Sequence, residues 1–472
     1  MPFSSMFRRL QSVHRYNVDV LKSSPVSELS GSLGDLGTLL PLMTALALTG
    51  SISLPSTLLF TGAANILTGI AFGIPLPVQP MKAIAAVAIA RKFTIEENAA
   101  AGLVVATLVG ICSITGVIHW ANKVTPIPVV KGIQVGAGLS LCISAGTTLL
   151  APLTWNGPWW GDNLLWALAA GLFLLLTYAY PRMPYALIVF SIGICLSLFS
   201  PLSHSNKSFA SAIPVVRPSA LDFWKATTTA SLGQLPLTIL NSIIAVAALT
   251  SDLLPSPPHP VSPTVTEIGV SVAAINLVGC WFGAMPACHG SGGLAGQYRF
   301  GARSGSSIII LGSVKLLLGL LSLFRPALIV EILSGIPKSL LGVLVLAAGI
   351  ELAKVGESLN TDASDLRVLR EGCVWDGKEV RHVDDSERRQ RWMVMLVTVA
   401  TLLAFKNDAV GFLAGITWHW GMEAGRRVQS WREETGERRL FWRRERHADA
   451  ERTWLLRREG SDVSPEQCGI RT

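Results

Sequence analysis

Residues 63–73 read AANILTGIAFG, and residues 273–283 read AAINLVGCWFG. Both stretches keep the pattern AAxxLxGxxFG, although they lie in opposite halves of the chain. A proline-broken segment follows each one, PLPVQPMK at residues 75–82 and MPACHGSGG at residues 285–293. Paired hydrophobic segments that glycine and proline interrupt at matching places in two halves are typical of secondary transporters. The repeat also indicates where such a protein would bind its substrate.

The composition predicts a protein that crosses a lipid bilayer several times. Of 472 residues, 50% are hydrophobic and 15% are charged, against about 25% charged in soluble domains. Apolar runs repeatedly approach the roughly 20 residues that a membrane-spanning helix needs. The net charge of +8 lies mainly in tails and loops, where membrane topology explains it better than nucleic-acid binding does. The seven cysteines are scattered, and Cys112, Cys142, Cys195 and Cys280 lie in apolar segments without CxxC or Cys/His spacing. We therefore predict no disulfide framework and no metal site.

The apolar runs predict seven spans in each half. The predicted spans are 34–50, 55–73, 79–90, 97–118, 128–149, 163–180 and 184–200, then 229–250, 266–284, 288–299, 305–323, 326–352, 391–405 and 408–421. The third span of each half is too short to cross about 30 Å as a helix. We interpret both as half-helices, each preceded by an extended segment inside the protein.

An odd number of spans in each repeat inverts the second copy relative to the first. The predicted fold is therefore an all-α polytopic membrane protein, a seven-plus-seven transmembrane inverted repeat with two half-helices that meet at the midplane. The even total places both chain ends on one side, and their arginines favour the cytosol. The expected segments are a cytosolic N-terminal tail (1–27), a first transmembrane repeat (28–200), a connecting loop (201–228), a second transmembrane repeat (229–421) with a charged loop (353–390), and a cytosolic Arg-rich tail (422–472).

The half-helix starts are the predicted substrate site. A helix N-terminus carries about half a positive charge, and two such ends that face one another can bind an anion. Gln79 and His289 occupy the same repeat position, and an amide and an imidazole can both donate to an oxyanion. Small residues beside His289 let a ligand approach the backbone, although they also permit tight helix packing. The predicted substrate-binding residues are Gln79, Pro80, Met81, Lys82, His289, Gly290, Ser291, Gly292, Gly293 and Gln234.

An acid in the first span is the main candidate for proton coupling. SLGDL at residues 32–36 matches SLGQL at residues 231–235, so Asp35 has the neutral Gln234 as its repeat partner. An ionisable group inside a membrane is costly and by default functional. Asp35 is predicted to bind a coupling proton or to pair with Lys82; capping of the first helix is the alternative.

Glu351 is a second candidate for proton coupling, with an interfacial position as its alternative. The spans contain no nucleophile–base pair and no cluster of metal ligands. We therefore predict that the protein is not an enzyme and has no cofactor.

Three motifs resemble the molybdate transporter family, a branch of the sulfate-permease-like superfamily. They are GDLGT at residues 34–38, PVQPMK at residues 77–82 and CHGSGGLAGQYRFGAR at residues 288–303. Supporting matches are KGIQVGAGL at 131–139, LGVL at 341–344, GIEL at 349–352 and NDAVGF at 407–412. The resemblance extends over about residues 28–420.

The resemblance implies a seven-plus-seven inverted-repeat fold and the uptake or vacuolar movement of molybdate. Tungstate is expected to compete strongly, because it is nearly the same size and charge as molybdate. Sulfate permeases of the wider superfamily carry a STAS domain after the last span. The tail after residue 421 is too short for one, which favours the STAS-less molybdate branch.

The leading hypothesis is a secondary active transporter of molybdate that works by alternating access and is coupled to protons. One alternative is a transporter of sulfate or another oxyanion with the same fold. The other is an anion sensor that does not transport. The sequence leaves open whether the protein lies in the plasma membrane or the vacuolar membrane, and whether it forms a homodimer.

Overall fold

The computed structural model describes residues 3–180, 183–200, 213–256, 259–260, 262–361, 363–368, 379–381 and 383–432. The chain divides into two compact units, residues 1–416 and residues 417–472. In the second unit the described residues, 417–432, are helical and mostly exposed. All features described below belong to the first unit unless stated.

Long apolar helices form most of the first unit. Among the described residues, eight helices are long and apolar enough to cross a membrane: Pro25–Thr49, Leu54–Phe72, Ile95–Ile114, Ile127–Leu150, Ala220–Leu253, Val265–Phe282, Ser306–Phe324 and Lys338–Asn360. Two shorter apolar helices are Leu164–Ala179 and Tyr185–Ser197. The remaining α-helices of the described residues are Phe3–Ser23, Lys82–Arg91, Val117–Val124, Ser291–Arg299, Pro326–Ser334 and Asp385–Phe405. A last helix covers residues 408–432, of which residues 417–432 belong to the second unit.

Several of these boundaries differ from the predicted ones. The predicted span 326–352 is two helices, Pro326–Ser334 and Lys338–Lys354. Pro337 separates them, because the residue before a proline is disfavoured in the helical conformation. A helix begins at Ala220, inside the predicted connecting loop, whereas residues 201–212 lie outside the described part of the chain.

The repeated glycine motif ends two helices in the same way. Gly73 and Gly283 both have a φ of +69°, a left-handed conformation that glycine adopts without a steric penalty. After each glycine the chain becomes extended, forming β1 (Val78–Pro80) and β2 (Ala287–His289). The two strands pair antiparallel, with Val78 opposite His289.

An asparagine holds each of these strands against the preceding helix. The Asn65 side-chain oxygen accepts a hydrogen bond from the Val78 amide at 2.7 Å. The Asn276 side-chain oxygen accepts one from the Ala287 amide, also at 2.7 Å. A helix follows each strand, Lys82–Arg91 and Ser291–Arg299, which we call the first and second half-helix.

Glycines bring the long helices into close contact. Leu54–Phe72 packs along Ser306–Phe324. A Cβ on Gly312 would lie 2.6 Å from the Gly62 carbonyl oxygen, closer than any real side chain allows. Val265–Gly279 packs in the same manner along Ile95–Ile114.

The helix Phe3–Ser23 and the residue Glu28 attach the N-terminal part of the chain to this helix pair. Asn17 donates to the Gly69 carbonyl at 3.0 Å and accepts from the Gly305 amide at 2.9 Å. Glu28, which is fully buried, accepts hydrogen bonds from the backbone amides of Arg303, Ser304 and Ser307. These contacts satisfy amides at the start of Ser306–Phe324 that would otherwise lack acceptors.

Candidate functional site

A cavity of about 350 Å³ lies beside the start of the first half-helix. It is bounded by residues from both halves of the chain. Its polar lining includes Thr38, Lys82, Ser140, Ser144, Asn241 and Asp408. The cavity therefore offers hydroxyl, amide and ammonium donors to a small anion.

The start of the first half-helix is capped by a side chain from the other half of the chain. The Gln234 side-chain oxygen accepts hydrogen bonds from the amides of Ala83 at 2.9 Å and Ile84 at 3.3 Å. The Gln234 amide nitrogen donates to Thr238 at 3.0 Å. Lys82, the first residue of this half-helix, lines the cavity. The predicted residues Gln234 and Lys82 thus lie at one end of one helix.

Gln79 connects the start of the second half-helix to Asp35. In the amide orientation that satisfies both neighbours, the Gln79 oxygen accepts from the Gly290 amide at 3.1 Å, and its nitrogen donates to Asp35 at 3.0 Å. A Cβ on Gly293 would lie 3.0 Å from an Asp35 oxygen. The carboxylate therefore lies at the second half-helix start, where the helix dipole favours a negative charge.

Asp35 is buried in a turn that divides the helical span Pro25–Thr49 into two α-helices, Pro25–Ser32 and Leu36–Thr49. Its Oδ1 also accepts a hydrogen bond from the Thr38 hydroxyl. Its Oδ2 has no hydrogen-bond partner within the described residues. Lys315 and Lys82 are basic residues near this carboxylate. Asp35 is thus a buried acid that has one oxygen without a partner among the described residues, and its partner Thr38 lines the cavity.

His289 is fully buried but lies apart from Gln79. One ring nitrogen lies 3.2 Å from the Pro77 carbonyl oxygen, and the other lies 3.0 Å from the Ser271 hydroxyl. Gln79 is paired with Cys288 across the strands. Since successive side chains of a strand point to opposite faces, Gln79 and His289 project in opposite directions. The structure therefore does not bring these two predicted residues together.

The other small residues of the second half-helix pack against the cavity wall. Ser291 donates to the Asn241 side chain, which lines the cavity. A Cβ on Gly292 would lie 2.5 Å from Leu141, another lining residue.

Pro80 and Met81 link the two half-helix segments through their backbones. Pro80 lies opposite Ala287 in the strand pair. The Met81 amide donates to the Pro286 carbonyl oxygen at 2.9 Å. Neither side chain lines the cavity.

Glu351 lies in a different place from Asp35. It lines a second cavity of about 320 Å³ together with Asp252 and Glu357. Its carboxylate forms an ion pair with Arg299 at 3.9 Å. Asp252 in the same cavity pairs with Lys131 at 2.6 Å. The two predicted proton-coupling acids therefore occupy separate environments.

Most polar lining residues of the cavity were not among the predicted site residues, and two of them carried a signal in the sequence. Asn241 is a polar residue within the apolar run TILNSIIAV, and that interruption was the available signal. Asp408 belongs to the motif NDAVGF, which supported the family resemblance without a role.

Solved structures share this fold. The murine Slc26a9 anion transporter in the inward-facing state aligns with a TM-score of 0.52 at 13% identity, covering 87% of this chain and 71% of that chain. A second structure, of SLC26A9, aligns with a TM-score of 0.51 at 15% identity. That alignment covers 84% of this chain and 65% of the other. The fold is thus that of SLC26 proteins, and the prediction of an all-α polytopic membrane protein is confirmed.

The fold and its long apolar helices therefore define a multi-pass integral membrane protein. The sequence profile of a family described as "Molybdate transporter of MFS superfamily" matches residues 27–141 and 226–352. Molybdate transporter 2 of Arabidopsis thaliana is 40% identical over 442 residues, which cover 84% of this chain and 87% of that protein. Molybdate transporter 1 of the same plant is 36% identical, and the alignment covers 76% of this chain and 84% of that protein. The chain belongs to the molybdate transporter family.

A third relative is Molybdate transporter 1 of Chlamydomonas reinhardtii, at 30% identity over 83% of this chain and 90% of that protein. These relatives are named as transporters, which agrees with the prediction that the chain is not an enzyme. The family description names the MFS superfamily, whereas the fold likeness is to SLC26 structures.

Proposed function

We propose that this protein moves molybdate across a membrane by alternating access, coupled to protons. The observation that carries the proposal is the cavity at the first half-helix start, where Lys82 supplies a positive charge. The relatives named as molybdate transporters supply the substrate.

The proposed binding site is the cavity with its donors. Lys82 contacts the dianion directly, because a charged donor forms the stronger type of hydrogen bond. Asn241 and the hydroxyls of Thr38, Ser140 and Ser144 surround the remaining oxygens. Gln234, Gln79 and the segment 290–293 hold the two half-helix starts in place around it.

We also infer that the two halves of the chain are inverted copies. If they are, Leu54–Phe72 corresponds to Val265–Gly279, and Ile95–Ile114 corresponds to Ser306–Phe324. Leu54–Phe72 packs on Ser306–Phe324, and Val265–Gly279 packs on Ile95–Ile114. Replacing each helix by its repeat counterpart therefore converts one packed pair into the other. The antiparallel pairing of β1 with β2 is also compatible with a twofold axis between them.

Asp35 is the proposed proton-coupling residue. A negative membrane potential opposes entry of a dianion by about 2.3 kcal/mol per charge per 100 mV. A proton carried on the buried Asp35 would offset one of these charges. Asp35→Asn is expected to flatten the rise of uptake on acidification while molybdate still binds. A normal rise in this variant would exclude Asp35 as the proton site.

The test of the substrate is uptake of radiolabelled molybdate by transport-deficient cells. Tungstate is expected to compete strongly, since it matches molybdate in charge and size. Sulfate is expected to compete weakly, because a smaller ion leaves donors unsatisfied at about 1–3 kcal/mol each. Equal inhibition by sulfate and tungstate would favour the sulfate alternative. Flux in vesicles that contain only the purified protein would exclude the sensor alternative.

A further inference from the structure

Asp408 is a second carboxylate of the cavity. It is the first residue of the helix 408–432 and lies two residues after Lys406, whose φ is +49°. The Asn407 side-chain oxygen accepts a hydrogen bond from the Ala409 amide at 2.9 Å and so caps the start of this helix. Asp408 lines the cavity together with Lys82. Its Oδ2 is shielded from solvent and has no hydrogen-bond partner among the described residues.

Lys82 lines the cavity together with Asp408 and with Thr38, whose hydroxyl donates a hydrogen bond to Asp35. The Lys82 charge is close enough to interact with both carboxylates. Other charged or titratable groups nearby are Lys406, which lines the same cavity as Asp408, and Lys315 and Cys288, near Asp35. Among the described residues, Asp35 and Asp408 each have one oxygen without a hydrogen-bond partner, although they lie far apart in the sequence.

We propose that Asp408 is a second proton-binding residue of the transport cycle. While the cavity holds no anion, Lys82 is the counter-ion of both Asp408 and Asp35. The inference rests on the proposed function. An anion that binds Lys82 removes this counter-charge from both acids and brings two negative charges beside them. Nearby negative charge favours the protonated form of a carboxyl group.

Each carboxylate then takes one proton from the water that enters the open cavity. The proton forms an O–H bond with one oxygen of each group. When the anion leaves on the other side, Lys82 again faces both acids, and both O–H bonds break as the protons return to water. One dianion and two protons cross together, so no net charge moves.

The test measures the net charge moved per molybdate transported. It uses vesicles that contain the full-length protein and have a clamped membrane potential. Wild-type protein is expected to move labelled molybdate without net charge. Asp408→Asn is expected to carry roughly one negative charge per molybdate, because one proton-binding group is lost. Asp408→Glu should behave as wild type. The matched control is Glu357→Gln, an exposed acid of the second cavity, which should leave the ratio unchanged.

A charge-to-molybdate ratio in Asp408→Asn that equals that of wild type would overturn the inference. A wild-type protein that moves two negative charges per molybdate would overturn it as well. For a variant that binds but does not transport, calorimetry in buffers of different ionisation enthalpy measures proton uptake on molybdate binding. Asp408→Asn should take up roughly one proton fewer than wild type, and equal uptake would refute the role of Asp408. If wild-type vesicles carry no molybdate at all, the proposed function itself fails and the inference falls with it.

Discussion

The side-chain oxygen of Gln234 lies 2.9 Å from the backbone nitrogen of Ala83 and accepts its hydrogen bond. Gln234 belongs to the helix Ala220–Leu253 and is flanked by two π-helical segments, Thr227–Ser231 and Thr238–Ile244. Such segments often occur at functional sites. The first half-helix, from the first half of the chain, is thus capped by a residue of the second half. Lys82 directly precedes Ala83 in this half-helix, so the cap lies next to the residue that lines the cavity.

Gln234→Glu is expected to lower the affinity for molybdate. The glutamate keeps an oxygen that accepts the Ala83 amide, but it adds a negative charge beside Lys82. The expected loss is about tenfold, which corresponds to about 1.4 kcal/mol, measured as the apparent KM of uptake. Gln234→Ala instead leaves two amides without an acceptor, so it should mainly lower the amount of folded protein. An unchanged KM in Gln234→Glu would contradict this account of the cap.

Lys82→Gln should weaken molybdate binding more strongly. A hydrogen bond to a charged group contributes about 1.5–3 kcal/mol, which is roughly a 10- to 150-fold change in affinity. Lys82→Arg keeps the charge and should retain part of the affinity. The control is Lys354→Gln, because Lys354 lines the second cavity. Similar losses in Lys82→Gln and Lys354→Gln would show that general surface charge, rather than the cavity, determines binding.

Gln79→Ala and His289→Ala are expected to differ in their effects. Gln79→Ala removes the bridge between Gly290 and Asp35, so it should alter the pH dependence of uptake. His289→Ala removes contacts with Pro77 and Ser271, on the other face of the strand pair. It should reduce protein abundance and leave the KM of the remaining transporter nearly unchanged. A large KM increase in His289→Ala with normal abundance would place His289 at the substrate.

Glu28→Ala should destabilise the protein without affecting molybdate affinity. The substitution leaves the backbone amides of Arg303, Ser304 and Ser307 without their acceptor. An unsatisfied buried donor costs about 1–3 kcal/mol, so thermal unfolding of the purified protein should begin at a clearly lower temperature. Glu423→Ala, in an exposed ion pair of the second unit, is the control, because such pairs contribute little. Equal unfolding temperatures for both variants would refute the role of Glu28.

The sequence predicted those features that local signals determine. The glycine pattern marked the helix ends at Gly73 and Gly283. The prolines marked the breaks before the two half-helices, predicted at 79–90 and 288–299 and observed as Lys82–Arg91 and Ser291–Arg299. Each of these signals acts within a few residues, so it can be interpreted without knowledge of the tertiary structure.

The sequence did not predict which site residues project into the same cavity. Gln79 and His289 match in the repeat alignment, but the register that places Gln79 opposite Cys288 arises only when distant segments pair. Asp408 enters the cavity for a similar reason, because contacts between remote helices bring it near Lys82. Matched repeat positions indicate equivalent places in two copies, and they do not indicate which side chains share a cavity.

The strand pair also restricts which parts of the protein can move separately. The hydrogen bonds between β1 and β2 and the bond from Met81 to Pro286 tie the two half-helices together. Separating their starts would break several buried backbone hydrogen bonds at once. The two half-helices should therefore move together as one rigid body relative to the rest of the protein during transport. The distance between spin labels on Arg91 and Arg299 would then be the same with and without molybdate. A change in this distance would show that the two half-helices move separately.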